Sequence, residues 1–392
     1  TRVGPVGRRG GVDAAAARAP LIAVAPARDR IAAAQAHRRL ELTSAYLSPN
    51  FFEVDAAAID TLLFFERVCT YSDLIKHTLE AQTDVQEHLA DADEALVAQC
   101  ELRHALAHVS ALARQIAAVL ASSPPDVFAA YATAAADLQH ADARLNAALD
   151  ALQDDRFDER AVASDCSVIV PQLEAVSMSL ADIESDADLA AKEVGSATLL
   201  VHDVDTLQAA LAHARHVLEQ LAADPDVDWR PDTLDELDSM RQCVRAVRPP
   251  TRRIQRRLAS LYENGETVAI EAIDTLPELG RVSSELVSFA TKYAQRIAAY
   301  ALEVRGSTQQ VDPEHIAHLA LESMHAVLPG DSLEPVLAHS ETLAASVDAL
   351  LAGAVDQDNV ICIAAAEPWR ARALELGALA QHDPRAKDRK ST

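Results

Sequence analysis

Aromatic side chains make up only 4% of this 392-residue sequence, and glycine occurs only 11 times. Scarce aromatics leave few of the wide apolar walls that line small-ligand pockets. Scarce glycine removes the raw material of phosphate-cradling loops. No Gly-rich phosphate loop, Gly-x-Ser-x-Gly nucleophile elbow or Cys/His metal framework occurs. The five cysteines, Cys69, Cys100, Cys166, Cys243 and Cys362, lie at least 31 residues apart with no Cys-x-x-Cys pair. An odd number of scattered thiols points to a reducing compartment rather than a disulfide framework. There is no Asn-x-Ser/Thr sequon, and no apolar run is read as approaching the roughly 18 to 20 residues of a membrane span. Secretion, membrane insertion and enzyme chemistry are all left without a carrier.

Helix-forming material is what the chain has in plenty. Hydrophobic residues reach 49%, mostly Ala, Leu and Val, so the expected fold is all-α, with about ten helices in elongated bundle lobes and no significant sheet. The formal charge of −25 is unevenly spread. Residues 1–41 carry eight Arg against three acids, residues 241–257 carry seven Arg and no acid, and residues 383–392 net +2. The acidic bulk repels nucleic acid and anionic lipid, which confines polyanion contact to the basic islands. Protein partners suit such a surface better.

Residues 1–26 are rich in Arg, Ala, Gly and Pro and are expected to be disordered. An Arg-rich, acid-poor start also fits a mitochondrial transit peptide, against which stands the Thr at position 1 where an initiator Met belongs. A helix-forming run from Ala27 to Thr43 meets Pro49, which disfavours helix at the residue before it. Ile59, Leu62, Leu63 and Phe65 begin the next helix, and a long one is expected from Asp84 to Ala121, stopped by Ser122-Ser123-Pro124-Pro125. Tyr131, Leu138, Leu145 and Leu152 recur every seventh residue, interleaved with Val127, Ala134, Ala141 and Ala148, and predict four heptads of one close-packed helix. Further helices are expected over Leu173 to Val194, Val204 to Leu221 and Leu234 to Val247, the last stopped by Pro249-Pro250. A short helix with Ile254, Leu258 and Leu261 should then end at Asn264-Gly265 in a left-handed turn. Val282 to Val304 predict a long helix ending at Gly306. Two more follow, one before Leu328-Pro329-Gly330 and one through Leu343, Val347 and Leu350. Residues Asp356 to Glu367 read as a loop or extended link, and Pro368-Trp369 as the start of a final helix.

Several constellations invite a chemical reading. Glu101/His104 and Glu322/His325 have the Glu-x-x-His spacing from which di-iron bundle sites are made, but with 14 His in so acidic a chain such pairs arise by chance, and solvated helix faces are expected. The His pairs 104/108, 213/216 and 315/318 sit one turn apart without the Glu of a zinc protease, and they too are read as exposed polar faces. Asp224, Asp226 and Asp228 imitate a calcium loop, yet Trp229 stands where Gly is needed. No catalytic residue, metal or cofactor is expected. The Arg island is the candidate partner-docking site: Arg241, Arg245, Arg248, Arg252, Arg253, Arg256 and Arg257 flank Pro249-Pro250. Pairing with acids of the same fold competes with docking of an acidic partner. Nucleic acid fits poorly, since no aromatic interleaves the Arg to stack bases.

Three stretches, taken in order, carry a resemblance. Ala36 to Phe52, with Leu62 to Ile75 after it, is the first; Met240 to Leu258, with its Arg cluster and Gln242-Cys243, is the second. The third is Glu285-Leu286-Val287-Ser288-Phe289-Ala290-Thr291-Lys292-Tyr293-Ala294, followed by Leu333 to Leu351 and by Glu367-Pro368-Trp369-Arg370. Together they resemble the Glued family, the large subunit of dynactin, in the helical region between its two coiled coils. The likeness runs over residues 30–382 and rests on order and spacing. Residues 1–26 fit nothing in it, and no Gly-rich microtubule-binding segment or extended heptad run is found, so the chain reads as a fragment or a truncated gene product.

What the resemblance implies is a non-enzymatic scaffold segment of a cytoplasmic, microtubule-associated complex that supports dynein activation and microtubule-based transport. Its partners would be other dynactin subunits and cytoplasmic dynein, the latter mainly through regions outside these residues, with a homodimer in the full-length protein. The implied organisation is 1–26 disordered or non-native, 27–44 the end of the first coiled coil, 45–230 an N-terminal helical lobe, 231–367 a C-terminal helical lobe, and 368–392 the start of the second coiled coil with a charged tail. The alternatives are another helical rod or tethering-complex subunit, and a bundle metalloenzyme using the Glu-x-x-His pairs.

Overall fold

The computed structural model describes residues 26–40, 53–132, 134–135, 138–180, 186–222, 232–306, 311–330 and 332–363. Twelve α-helices occur among them. They are α1 (26–40), α2 (Glu53–Gln82), α3 (Val85–His88), α4 (Glu94–Ser122), α5 (Pro125–Ala130), α6 (Gln139–Gln153), α7 (Glu159–Ser179), α8 (Asp186–Ala222), α9 (Asp232–Glu263), α10 (Leu276–Gly306), α11 (Pro313–His325) and α12 (Glu334–Val355). The fold is all-α, as the composition implied. One three-residue antiparallel pair occurs among the described residues, β1 (Glu266–Val268) with β2 (Val360–Cys362), in the register Thr267 opposite Ile361. Its second strand lies inside the stretch read as a loop or extended link, and its first directly follows Gly265.

Helix ends follow capping chemistry. Asp84, Asp93, Asp158 and Asp312 each accept from a backbone N–H in the first turn of α3, α4, α7 and α11, satisfying donors that have no partner inside the helix. Asp84 and Asp93 together explain why the helix expected over Asp84 to Ala121 is two helices. A second cap restarts the chain after Ala92, whose backbone is extended (ψ 130°). At the far end Ser123 Oγ donates to Val119 O at 2.6 Å, and Pro124 follows, as the sequence predicted. Gly265 has φ +73°, the left-handed stop expected for α9.

Two other expectations are corrected. The four-heptad helix is broken, because α5 ends at Ala130 and α6 begins at Gln139. Turn geometry at Tyr131 and Ala132 frees Ala132 O to accept from Thr61 Oγ1 at 2.7 Å, and Tyr131 Oη donates to Ser179 O at 2.7 Å. Only Leu138, Ala141, Leu145, Ala148 and Leu152 keep the periodic buried stripe. The run Leu173 to Val194 likewise belongs to two helices, the end of α7 and the start of α8.

Burial divides into two clusters. One joins α2, α4, α5, α6 and α7 through Leu62, Phe65, Leu106, Ile116, Phe128 and Leu173, and α1 lies against this unit through Arg28 to Asn146 (2.6 Å) and Arg38 to Glu66 (3.8 Å). The other surrounds α8 with α3, α9, α10, α11 and α12, through residues such as Leu211, Leu258, Phe289, Tyr293 and Val347. Helix α4 serves both, with Leu96, Val97 and Cys100 in the second cluster and Leu102 to Leu120 in the first. The α4–α8 seam is close. A Cβ on Gly195 would meet Ala111 Cβ at 2.9 Å, so glycine is needed there. Helix α4 is also, among the described residues, long and apolar enough to cross a bilayer, contrary to the sequence reading. Its apolar surface is instead spent on the two cores, and it carries the buried Arg103.

Candidate functional site

Helix α8 is buried on every side from Leu200 to Ala214, yet that stretch contains His202, Asp203, Asp205, Gln208 and His213. A buried polar side chain must find a partner or destabilise the fold by about 1–3 kcal/mol. Each of these five reaches a different neighbour. His202 Nε2 lies 3.7 Å from Glu80 on α2. Asp203 takes His104 Nε2 of α4 at 3.0 Å and Ser283 Oγ of α10 at 2.6 Å. Gln208 accepts from Gln86 Nε2 of α3 at 2.6 Å and donates to Val244 O of α9 at 3.3 Å. His213 Nδ1 is 3.1 Å from Ala92 O. The polar residues of α8 thus fix the position of the surrounding helices.

Asp205 makes the strongest of these bridges. Arg248 Nε donates to Asp205 Oδ1 at 2.6 Å and Arg252 Nη2 to Oδ2 at 2.8 Å, both from α9. The two Arg bracket Pro249 and Pro250, and the helix runs straight through them instead of stopping there as expected. Two prolines remove the N–H groups that would bond Arg245 O and Ala246 O, at a cost of about 3 kcal/mol each in an isolated helix. Three features hold the helix together. Val244, Val247, Thr251, Ile254 and Leu258 form a buried stripe across the break, the Asp205 clamp pins both sides of it, and Thr251 Oγ1 satisfies Arg248 O at 2.9 Å.

The seven Arg of the island therefore divide. Arg248 and Arg252 face inward on Asp205. Arg241 sits 3.4 Å from Asp238, which Arg215 also contacts at 2.8 Å. Burial, and then the charges of Arg215 and Arg245, hold the Arg241 pKa below its ordinary value. Arg257 has Nε and Nη2 buried with no acceptor among the described residues. Arg245, Arg253 and Arg256 are exposed, on one side of α9 with the exposed Pro249, and have no ion pair among the described residues. They form an uncommitted basic row, with successive members three to eight residues apart on one helix face.

The other constellations fall apart. Glu322 pairs with Arg296 at 2.8 Å and His325 Nε2 meets Gly330 O, while His104 is committed to Asp203 on a different helix pair. No group of three or more His, Cys, Asp or Glu placed to hold a metal occurs among the described residues. The reading of the His pairs as exposed is corrected for His213, which is buried, and for His104, half-buried in the α4–α8 seam. The residues of the calcium-like loop, Asp224 to Asp228, lie outside the described residues, as do residues 1–25 and the expected final helix at Pro368. All five thiols are free, and burial pushes those of Cys100 and Cys166 up to about 12, so neither is a thiolate nucleophile near neutral pH.

Sequence reasoning found the Arg island but missed Asp205, Asp203, Lys76 and Arg103. Acids inside a stretch as apolar as Leu199 to Leu218 were the available signal. A helix apolar all round is buried, and a carboxylate in it needs a cationic partner.

Fold and site define the class first: an all-helical bundle stitched by buried polar bridges, with one exposed Arg row and no catalytic constellation among the described residues. The family model described as Dynactin, dynein associated protein, matches residues 14–258. The chain belongs to the dynactin, or dynein-associated protein, family. No curated protein matches it.

Proposed function

We propose that the chain is a non-catalytic scaffold segment of the dynactin complex that supports cytoplasmic dynein activation and microtubule-based transport. Family membership carries the reading, and residues 14–258 include the whole Arg island. Its partners are the other dynactin subunits and, mainly through regions beyond these residues, cytoplasmic dynein. It works in the cytoplasm on the microtubule cytoskeleton, and as a homodimer in the full-length protein. The proposed lobes of 45–230 and 231–367 differ from the two buried clusters in one respect: α8, which falls within 45–230, packs in the cluster of α9 to α12.

Docking belongs to the outer row of α9. Arg245 and Arg253 are exposed cations without a counter-ion among the described residues, and a partner surface bearing carboxylates complements them. The inner Arg are spent on the fold. Affinity purification of the full-length gene product tests the assignment: actin-related protein and shoulder subunits of dynactin are expected to co-purify in fixed ratio. Recovery without them would refute it. Arg245→Glu with Arg253→Glu should leave the fold intact and lower the yield of one co-purifying subunit. An unchanged yield of every subunit removes the docking role from this row.

A further inference from the structure

A cleft of about 290 Å³ opens where the C-terminal part of α2 and the start of α3 meet α4, α8 and α9. Its wall holds five cations, Lys76, Arg103, Arg248, Arg252 and Arg256, against three carboxylates, Glu80, Asp84 and Asp205. An excess of positive charge in a chain of net charge −25 is a local reversal of sign. Two of the carboxylates are already engaged. Asp205 lies between two guanidinium groups and Asp84 accepts from Gln86 N at 2.9 Å to cap α3, whereas Glu80 stands 3.7 Å from His202.

The cations are less completely neutralised. Lys76 is held by Asp73 at 2.7 Å, and Arg103 Nη2 donates to Leu79 O, Thr83 O and Gln99 Oε1. Arg103 Nε and Arg252 Nε are buried with no acceptor, and Arg256 has no ion pair among the described residues. His202 on the cleft wall registers the resulting field. Its pKa is held well below the ordinary value by burial first, and then by the charges of Lys76, His104, Arg103 and Arg252. In the low dielectric of such a recess, uncompensated positive charge acts strongly on an anion.

The rest of the lining narrows the ligand. Val85 and Val201 are its only aliphatic residues, whereas Thr83 and Gln255 add polar groups that can donate; Thr198 Oγ1 already donates to Val194 O at 2.8 Å. With no Phe, Tyr or Trp in its lining, the cleft offers a base little to stack on beyond the rings of His77 and His202. Guanidinium forks match the oxygens of phosphate in bidentate geometry.

We propose that this cleft binds a small phosphate-bearing anion, with Arg256 at the mouth and Arg252, Arg103 and Lys76 supplying the positive field within. Pyrophosphate is the probe, titrated calorimetrically into the full chain at fixed ionic strength. Saturable binding at one site is expected. Arg256→Glu, at an exposed position where circular dichroism is expected to show unchanged folding, should weaken it by about tenfold or more. Arg245→Glu, equally basic but outside the cleft lining, should change it by less than about twofold. In parallel, pyrophosphate should raise the His202 pKa toward its ordinary value in ring-proton NMR. Flotation with phosphatidic acid vesicles in phosphatidylcholine separates two sources of the phosphate. Co-flotation lost in Arg256→Glu assigns it to a lipid headgroup, and pyrophosphate binding without co-flotation assigns it to a free anion. No saturable binding of either probe, or equal loss in Arg245→Glu and Arg256→Glu, overturns the proposal.

Discussion

Two sets of charged residues, only a helix-width apart, meet opposite fates. On α8, Asp203 and Asp205 are buried and bridged, and the inner Arg of α9 are consumed in holding them. On the outer row of the same α9, Arg245, Arg253 and Arg256 face solvent without a counter-ion among the described residues. Identical side chains on one helix thus serve the fold or are left over for something else, and the helical face alone decides which. Buried bridges are costly to break because removing one partner strands the other, whereas an exposed charge interacts weakly through water.

The most severe break in this contrast is Asp205→Ala. It strands Arg248 and Arg252 beside two prolines that already weaken α9, and urea unfolding should register a loss of about 3–5 kcal/mol. Next comes Glu193, buried on α8, where Thr267 Oγ1 donates to it at 2.5 Å. Burial pushes its carboxyl up to about 7 from the ordinary 4.5, with the Thr267 bond opposing. A raised folded pKa means the folded state favours the protonated form. Its stabilisation is therefore complete below about pH 4.5 and is lost as pH rises to about 7, a difference on the order of 3 kcal/mol. Glu193→Gln should flatten that part of the stability–pH curve in denaturant titrations and stabilise the protein at pH 8.

A smaller effect is expected from Ser283→Ala, which removes one of the two partners of Asp203 and leaves His104 in place. The expected loss is about 1–2 kcal/mol in the same assay. Smallest is the outer row. Arg245→Glu and Arg253→Glu should each shift stability by no more than about 0.5 kcal/mol while altering partner capture. A large loss of stability there would erase the distinction between the rows.

Much of this was readable from the residues. Helix class, the long α10 ending at Gly306, the stop at Ser122 to Pro125 and the turn at Gly265 follow from local chemistry, because capping and punctuation act within a few residues. What failed was long-range. Pro249-Pro250 is a helix stop by every local rule, and tertiary contacts override it: the buried stripe across the break and the clamp from Asp205, 44 residues earlier. The heptads from Val127 to Leu152 are periodic enough for one helix, and hydrogen bonds from Thr61 and to Ser179 accompany its break. The Arg island was visible as a composition, but its division into inner and outer rows depends on which side α8 approaches, and no local pattern encodes that.

Arg252→Ala set beside Arg253→Ala tests the division most directly, since the two residues are adjacent in sequence, identical in chemistry and opposite in role. Urea unfolding at pH 7 should give a loss of about 1–3 kcal/mol for Arg252→Ala and a change within about 0.5 kcal/mol for Arg253→Ala. Equal losses at the two positions would contradict the assignment of one row to the fold and the other to a partner.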